Sequence, residues 1–490
     1  MKGSSEMKNI NNIKCSSVFK HFQEISKIPR GSGNEQEISD YLVGFAKTLK
    51  LEVIQDKALN VIIKKPASIG YENAPTVIIQ GHMDMVCEKN GDKVHDFKKD
   101  PIELIVKEDY LYANGTTLGA DNGIAVAYAM ALLEDNTLQH PALEILLTTD
   151  EETGMTGAMA VVKEDIKGTI LINIDNEEEG YLLVSCAGGI RTRSSIKFER
   201  EEIVEKSLFS INIKGLKGGH SGCDINKWRG NSNKIMGRVL KDLLNNIEFN
   251  LVSINGGTKN NAIPREAESI IAIDESLKEE FNVLMQKWDG VIRKELASQD
   301  SGVKITTEEA VNHDCSFIKE EDAERIINLL YLYPNGVNTM STVIEDLTES
   351  STSLGIVATL EDEVEFDSAV RSSITTLKEE IVERIKSVTE AFGGDFETNA
   401  GYPAWEYKED SKIREICKEV YKNLTGEEIK VCAIHAGVEC GLFQERLGDI
   451  DMISFGPNMY DIHTPNEHLS ISSSDNVWEY LLEVLKNIKE

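Results

Sequence analysis

The His-x-Asp pair at His82 and Asp84 is the first place in this sequence that could do metal chemistry. It follows an apolar run, residues 76–80, that predicts a buried strand. Side chains two positions apart in a strand point to the same side. A metal-bound imidazole commonly has its second ring nitrogen fixed by a carboxylate, so His82 could bind a metal with Asp84 close behind it. Polar residues after strands are also common in loops, so the pair alone does not establish a site.

Further candidate ligands occur along the chain. Asp121 begins a predicted helix, where N-capping explains an acid as well as metal binding does. Asp150, Glu151 and Glu152 directly follow another apolar run, residues 143–149, which predicts a second strand, and the adjacent carboxylates Glu151 and Glu152 can divide labour. One can bind a metal while its neighbour acts as a general base, although an exposed charge run is the alternative. Asp175 ends a third predicted strand, residues 169–174, and His463 lies in a loop, where a lone histidine is usually not a ligand.

The joint pattern is more informative than any of its members. Two histidines with three or more carboxylates suit borderline-hard divalent ions such as zinc, cobalt or manganese. With one carboxylate bridging, two ions would lie about 3.5 Å apart, as in two-metal hydrolases. The residues by themselves do not assign each ligand to an ion.

The elements that must position these residues alternate between strands and helices. This alternation predicts an α/β fold with a mostly parallel sheet flanked by helices, and such sheets bind ligands just past their strand ends. The pattern occupies residues 1–187 and resumes over 401–490. Between them, residues 188–400 predict an inserted α+β domain of two similar halves. We therefore expect one catalytic domain built from both chain segments, with a lid inserted between them.

Composition excludes several other classes of protein. The formal net charge is −31, from 52 Lys and Arg against 83 Asp and Glu, which argues against general nucleic-acid binding. The eight cysteines form no CxxC pair, so reduced thiols in a cytosol fit best. No apolar run is long enough to span a membrane, and because no apolar h-region stands near residue 1 we expect no secretory signal. We expect a cytoplasmic protein that binds no membrane.

Four segments around the candidate residues are similar to segments of a known family, and they occur in the same order. They are Gly81-His82-Met83-Asp84, Gly119-Ala120-Asp121-Asn122-Gly123, Thr149-Asp150-Glu151-Glu152-Thr153-Gly154 and Gly218-Gly219-His220-Ser221-Gly222. The chain resembles the M20 family of metallopeptidases over nearly its whole length. It is most similar to the aminoacyl-histidine dipeptidases (Xaa-His dipeptidases, peptidase D).

The resemblance implies a zinc-peptidase-like catalytic domain with two zinc ions per chain, cobalt or manganese being the alternatives. It assigns His82 and Asp175 to one ion and His463 and Glu152 to the other, with Asp121 bridging the two. Asp84 would orient His82. Glu151 would be the general base that deprotonates the bridging water and carries the proton to the leaving amine.

Four residues outside this group resemble residues of the family that contact the substrate. His220 would stabilise the tetrahedral oxyanion, within its own chain or on the neighbouring subunit of a homodimer. Asn261 and Arg371 would hold the substrate, the arginine by a bidentate grip on a terminal carboxylate, although an ordinary surface salt bridge explains Arg371 equally well. His435 lies with Glu439 in a Gly-bounded loop that could line the pocket.

The expected function is metal-dependent hydrolysis of dipeptides, including Xaa-His peptides. Two alternatives stay open. Related enzymes remove acyl groups from amino acids or act on other short peptides, and the zinc motif does not separate these activities. The chain could also be a metal- or peptide-binding relative without catalysis. Glu151 argues against the binder, because binding alone does not require an acid beside a metal ligand.

Overall fold

The computed structural model describes residues 14–202, 206–310 and 316–489, so Cys315 lies outside the described residues. The chain divides into two compact units. The first comprises Met1–Ser185, Tyr407–Ala433 and Val438–Glu490, and the second comprises Cys186–Glu406 and Ile434–Gly437. In the described ranges no helix has the length and apolar character needed to cross a membrane.

The first chain segment alternates strands and helices, as the sequence predicts. Its helices are α1 (Ser16–Ile25), α2 (Gln36–Thr48), α3 (Ala120–Glu134) and α4 (Thr156–Ala160), with a 3-10 turn at Lys163–Asp165. Its strands are β1 (Glu52–Gln55), β2 (Val61–Lys65), β3 (Val77–His82), β4 (Leu104–Lys107), β5 (Tyr110–Ala113), β6 (Leu143–Thr148), β7 (Ile170–Asn173) and β8 (Tyr181–Cys186).

The middle segment is richer in strands. Its helices are α5 (Ser232–Asn246), α6 (Lys278–Glu295), α7 (Glu320–Leu332) and α8 (Thr375–Ala391), with 3-10 turns at Ile225–Lys227 and Glu275–Leu277. Its strands are β9 (Gly188–Lys197), β10 (Arg200–Glu202), β11 (Ser207–Lys214), β12 (Gly219–His220), β13 (Asn250–Gly256), β14 (Ala262–Ile263), β15 (Ala267–Ile273), β16 (Lys304–Glu309), β17 (Ser316–Ile318), β18 (Gly336–Met340), β19 (Thr348–Thr359), β20 (Glu363–Ser372) and β21 (Asp395–Tyr402).

The last segment returns to the first unit. Its helices are α9 (Lys412–Thr425), α10 (Glu439–Leu447) and α11 (Ile471–Asn487), and its strands are β22 (Lys430–Ile434), β23 (Asp451–Ser454), β24 (Met459–Tyr460) and β25 (His468–Ser470). Strand β23 pairs in parallel with β7, so both chain segments of this unit supply strands to one sheet.

That sheet has eight strands in the order β1-β2-β6-β3-β7-β23-β8-β22. The four central strands β6, β3, β7 and β23 pair with one another in parallel. The pairs β1–β2, β2–β6 and β23–β8 are antiparallel, so the sheet is mixed, and the expected mostly parallel pairing describes its centre. A short connection such as that between β1 and β2 can join only antiparallel neighbours, because a parallel pair needs a long crossover.

The apolar composition of the central strands places them in the middle of the sheet. Every residue of β3, β6 and β7 is buried. Strands covered on both faces have nearly continuous apolar sequences rather than alternating ones, and these runs fit that rule. Helix α3 is likewise apolar around its whole circumference, and its residues from Asn122 to Leu133 are all buried. The polar groups just beyond these strands are therefore held on a rigid framework.

The second unit is built from two halves with the same strand order. Strands β16-β11-β15-β13 form one half of its main sheet and β21-β9-β20-β19 the other, and β13 joins β19. When the strands of each half are numbered in chain order, both halves have the spatial order fourth, first, third, second. The sequence predicts two similar halves but not that β9, the first strand of the second half, precedes the whole first half. The two helices of each half pack on this sheet through buried apolar side chains.

Candidate metal centre

Three neighbouring parallel strands end at the same edge of the first unit's sheet, and each delivers candidate ligands there. His82 is the last residue of β3, which lies between β6 and β7. Glu151 and Glu152 follow the end of β6, and Asp175 follows the end of β7. Because the carboxyl ends of parallel strands meet at one edge, side chains far apart in sequence converge without any distortion of the sheet.

Asp121 occupies the centre of this group. Its Oδ1 lies 3.1 Å from Nε2 of His82, and its Oδ2 lies 3.2 Å from Nε2 of His463. The two oxygens of one carboxylate therefore face two different imidazoles. His463 comes from the loop between β24 and β25, 342 positions beyond Asp121 in the chain.

Two sets of three ligand atoms share Asp121. His82, Asp121 and Asp175 form one, and Asp121, Glu152 and His463 form the other, with the ligand atoms of each set within 4.8 Å of one another. Nε2 of His82 lies 3.4 Å from Oδ1 of Asp175, and Nε2 of His463 lies 3.0 Å from Oε2 of Glu152. This arrangement suits two ions linked by one bridging carboxylate.

Glu151 also lies close to the cluster. A third set with the same spacing is formed by His82, Glu151 and Glu152, so proximity alone does not separate a base from a ligand. The nearest base to the Glu151 carboxylate is Nε2 of His82 at 4.0 Å, and its side chain is 15% exposed. It makes no hydrogen bond to another side chain within the described ranges.

Asp84 is fully buried behind His82. Its Oδ1 lies 3.3 Å from Nδ1 of His82, which is ion-pair distance, although the alignment is not that of a hydrogen bond. The same carboxylate accepts hydrogen bonds from the backbone N–H groups of Glu151 (3.1 Å) and Glu152 (3.3 Å) and from the Ser32 hydroxyl (2.8 Å). Asp84 thus holds the end of β3 and the turn after β6 together.

The clustered carboxylates repel one another and favour the binding of positive charge, either protons or a cation. Burial raises the pKa of Glu151 to about 9, and the carboxylates of Asp175, Glu439 and Glu152 add to the effect against the opposing charge of His82. Burial likewise raises the pKa of Asp175 to about 6. Burial opposes a charge on His82 too, but the carboxylates of Asp175, Asp121 and Asp84 raise the pKa of its imidazole well above the ordinary value.

These residues fit divalent metal ions. The buried Oδ1 of Asp175 and Nδ1 of His82 have no hydrogen-bond partner. Among the described residues, histidines are the only bases within ion-pair distance of the clustered carboxylates. Several buried carboxylates without a lysine or arginine are costly unless a cation compensates them. Imidazole and carboxylate donors are ligands that zinc and manganese accept.

His220 and Asn261 lie in the second unit, where β12 pairs with β14. The backbone N–H groups of Gly222 (3.3 Å) and Cys223 (3.0 Å) donate to Nδ1 of His220. Because Nδ1 accepts, the proton of the neutral ring is on Nε2, which is then a donor. Burial and the charge of Arg371 lower the pKa of this imidazole, so the neutral form is favoured. Asn261 is exposed, and its backbone carbonyl accepts from Ser221 N–H (2.9 Å).

Arg371 and His435 are buried in the same unit. Nη1 of Arg371 donates to the Tyr402 hydroxyl (2.5 Å), while its Nε has no partner and no carboxylate of the described residues pairs with it. The Ser351 hydroxyl and Nε2 of His435 are 2.7 Å apart. Burial, with the charges of Arg371 and His220, lowers the pKa of His435 to about 3. A surface salt bridge, the alternative for Arg371, is thus not observed.

Gly222 permits the close approach of Arg371 and His435. A Cβ at Gly222 would lie 2.2 Å from the His435 carbonyl oxygen and 3.0 Å from Cδ of Arg371. Packing therefore requires a glycine at position 222, the last residue of the Gly-Gly-His-Ser-Gly segment. Glu439 belongs to the first unit, where its buried carboxylate accepts from Gln80 Nε2 (2.6 Å) and Thr148 Oγ1 (2.9 Å).

A model described as peptidase family M20/M25/M40 matches residues 78–487 of the chain. The chain belongs to this family. It is 36% identical, over 98% of its length and 99% of the relative's, to the cytosol non-specific dipeptidase of Escherichia coli (strain K12). The crystal structure of aminoacylhistidine dipeptidase from Vibrio alginolyticus superimposes with a TM-score of 0.94 at 36% identity, with 98% of each chain covered.

A more distant member of the same fold is aminopeptidase PepT from Bacillus cereus. It gives a TM-score of 0.58 at 16% identity and covers 98% of this chain, which shows a shared fold only. Family membership confirms three predictions from the sequence: the M20 resemblance, the α/β fold class and the assignment to the peptidases, a class of hydrolase.

Sequence analysis missed several residues that contact the predicted site residues, among them Ser351, Tyr402, Arg30 and Glu467. Ser351 and Tyr402 contact His435 and Arg371, and nothing local in the sequence links them. Arg30 and Glu467 bind backbone atoms around Asp121. Glu467 stands in the same short segment as His463, and that proximity was the one available signal.

Proposed function

We propose that this protein is a dipeptidase that hydrolyses the peptide bond of dipeptides with two divalent metal ions. His82 and Asp175 would hold one ion, and His463 and Glu152 the other. The observation that carries the proposal is the position of Asp121, whose two oxygens face His82 and His463 separately at 3.1 and 3.2 Å. A carboxylate placed so would bridge two ions.

The relatives support the substrate class. The Escherichia coli protein is a cytosol non-specific dipeptidase, and the Vibrio protein is an aminoacylhistidine dipeptidase. Both are 36% identical to this chain over nearly its whole length. We therefore propose dipeptides, Xaa-His among them, as substrates and the cytosol as the compartment. Zinc is the proposed metal because the donors are imidazoles and carboxylates, and cobalt or manganese would suit the same donors.

Each side chain of the cluster has a separate task in this proposal. When bound, the two ions would lower the pKa of a shared water and polarise the scissile carbonyl. Asp84 would keep the His82 ring in position from behind. Glu151 would take the proton of the attacking water and deliver it to the leaving amine. Its carboxylate is suited to this task because it is close to the ligands and not engaged by another side chain. The charge of two bound ions would offset the burial and the neighbouring carboxylates that raise its pKa, and would thereby keep it ionised and able to accept a proton.

The second unit would supply substrate contacts. His220 presents Nε2–H as a donor, which suits a developing oxyanion. Arg371 is a buried guanidinium without a carboxylate partner among the described residues, which suits the terminal carboxylate of a peptide. Asn261 and His435 would complete this surface. In this proposal the first unit is the catalytic domain, the second is the lid, and His220 serves its own chain or a partner in a homodimer.

The test is hydrolysis of an Xaa-His dipeptide, a second dipeptide, a tripeptide and an N-acetyl amino acid, each with and without a chelator. Turnover of the dipeptides that stops in chelator supports the proposal. Turnover of the N-acetyl amino acid or the tripeptide alone would assign the site to the alternative substrates. Stoichiometric metal uptake with no turnover of any substrate would identify a binding protein.

A further inference from the structure

Glu467 holds the chain segment that leads into Asp121. Its Oε2 accepts hydrogen bonds from the backbone N–H groups of Leu118 (2.7 Å) and Gly119 (3.0 Å). Its Oε1 accepts from those of Ala120 (2.7 Å) and Asp121 (3.4 Å). The carboxylate is buried and lies at the start of α3, where exposed N–H groups and the helix dipole favour a negative charge.

Arg30 holds the same segment through its carbonyl groups. Its Nη2 donates to the carbonyl of Gly119 (2.5 Å), and its Nη1 donates to the carbonyls of Met83 (3.0 Å) and Asp84 (3.2 Å). The peptide groups of Gly119 are thus bound by a carboxylate on the N–H and a guanidinium on the C=O. Arg30 also connects this segment to the residues that directly follow His82.

Gly119 makes room for this arrangement. Its φ is +67°, which disfavours any side chain, and a Cβ there would lie 2.6 Å from Nη2 of Arg30. A Cβ at Gly123, one turn into α3, would lie 2.5 Å from the same atom. The two glycines of the Gly-Ala-Asp-Asn-Gly segment therefore allow a buried guanidinium to approach the backbone that carries Asp121.

We propose that Arg30 and Glu467 are positioning residues that fix the Asp121 carboxylate relative to His82 and His463. Glu467 follows His463 by four residues, so one short loop supplies both a ligand and the carboxylate that holds Asp121. Arg30 makes the matching connection to the end of β3, which carries His82. This inference rests on the proposed two-metal function. Neither residue would bind an ion, and both would act through the backbone.

The test is metal binding by the apo-protein of Glu467→Gln, because an amide cannot accept from four N–H groups. A matched control is Glu144→Gln. Glu144 is also a buried carboxylate of the first unit, and its Oε2 accepts from the backbone N–H groups of Lys167 (2.8 Å) and Gly168 (2.8 Å), away from the ligands. Each protein is titrated with Co²⁺, followed by visible absorption and calorimetry, and its melting temperature is recorded.

Glu467→Gln is expected to weaken binding of at least one Co²⁺ equivalent by roughly 10-fold or more and to change the cobalt absorption spectrum, since outer partners of ligands typically contribute 10–100-fold to affinity. Glu144→Gln should lower the melting temperature but bind two equivalents like the wild type. A purely structural role for Glu467 would lower its melting temperature and leave the cobalt titration unchanged, and that result would overturn the inference.

Glu467→Asp decides the question if Glu467→Gln does not fold. It keeps the charge but shortens the side chain, so it cannot reach all four N–H groups. Weakened cobalt binding in this variant supports the inference, and wild-type binding refutes it. If the wild-type protein itself binds fewer than two equivalents, the proposed function fails and the inference fails with it. That outcome differs from a wild type with two equivalents and an unaffected Glu467 variant.

Discussion

Replacing Glu151 and Glu152 by glutamine, one at a time, should distinguish the proposed base from the proposed metal ligand. The two residues are neighbours with the same chemistry, but their surroundings differ. Glu152 has its carboxylate oxygens at 3.0 and 3.1 Å from Nε2 of His463. The Glu151 carboxylate has its nearest base at 4.0 Å and accepts no side-chain hydrogen bond among the described residues. Glu151→Gln therefore leaves no buried partner unsatisfied.

The magnitude follows from these contacts. A positioned general base contributes about 10²–10⁴ in rate, which is about 2.7–5.4 kcal/mol of activation free energy at about 1.36 kcal/mol per factor of ten. We expect Glu151→Gln to lose at least ~10²-fold in kcat while it keeps about two metals per chain and still binds peptide. Glu152→Gln should lose metal affinity, and added zinc should partly restore its activity.

The assay combines metal content by elemental analysis with kcat and KM for a dipeptide, before and after addition of zinc. The Glu144→Gln protein serves as the control, because it alters a buried carboxylate of the same unit that does not contact the cluster. Loss of metal from Glu151→Gln with retention by Glu152→Gln would show that the two roles are reversed. Full activity of Glu151→Gln would refute water activation by this residue.

The remaining predictions concern the ions, the substrate carboxylate and pH. Prolonged dialysis against chelator should abolish turnover, and zinc, cobalt or manganese should restore it; full activity in excess chelator would contradict the mechanism. Asp121→Ala should reduce turnover as much as any single change, because the two sets of candidate ligands share this residue. Arg371→Lys should raise KM for dipeptides by roughly 10–100-fold, which corresponds to the free energy of one charge-assisted hydrogen bond, and should leave KM for dipeptide amides unchanged. His435 has its pKa lowered to about 3, so between that value and its ordinary pKa of about 6.5 the unfolded state binds one more proton than the folded state. Its contribution to stability is complete above about pH 6.5 and falls by about 1.4 kcal/mol per pH unit as the pH decreases through this window. His435→Gln should therefore have a shallower acid dependence of the free energy of unfolding by denaturant, and an unchanged slope would show that burial does not suppress protonation here.

Local patterns in the sequence were sufficient to predict the strands that carry the ligands. Predicted strands over 76–80, 143–149 and 169–174 correspond to β3, β6 and β7. Their continuous apolar runs can be satisfied only by burial on both faces, and a polar residue directly after such a run must lie at the sheet edge. The His-x-Asp pair and the adjacent glutamates are also local features. Their side-chain directions follow from the periodicity of a strand or turn.

The pairings between distant strands were not available from these patterns. The sequence predicts two similar halves over residues 188–400, but the first strand of the second half, β9, comes before the first half in the chain. It pairs with β20 and β21, more than 160 residues away. Apolar alternation predicts that a segment is a strand in a sheet, but it does not identify the strand with which it pairs. That choice depends on the packing of the whole unit.

What the sequence by itself determined is the set of side chains capable of metal chemistry and the strand ends that carry most of them. The tertiary structure decided which of these side chains come together, with Asp121 common to two sets of candidate ligands. His463 contacts Asp121 although 342 positions separate them in the chain, and Arg30 and Glu467 bind the backbone that leads into Asp121. The physical reason is that periodicity fixes only the directions of side chains a few residues apart. Distances between remote residues are set by strand order and by the burial of polar groups that must find partners.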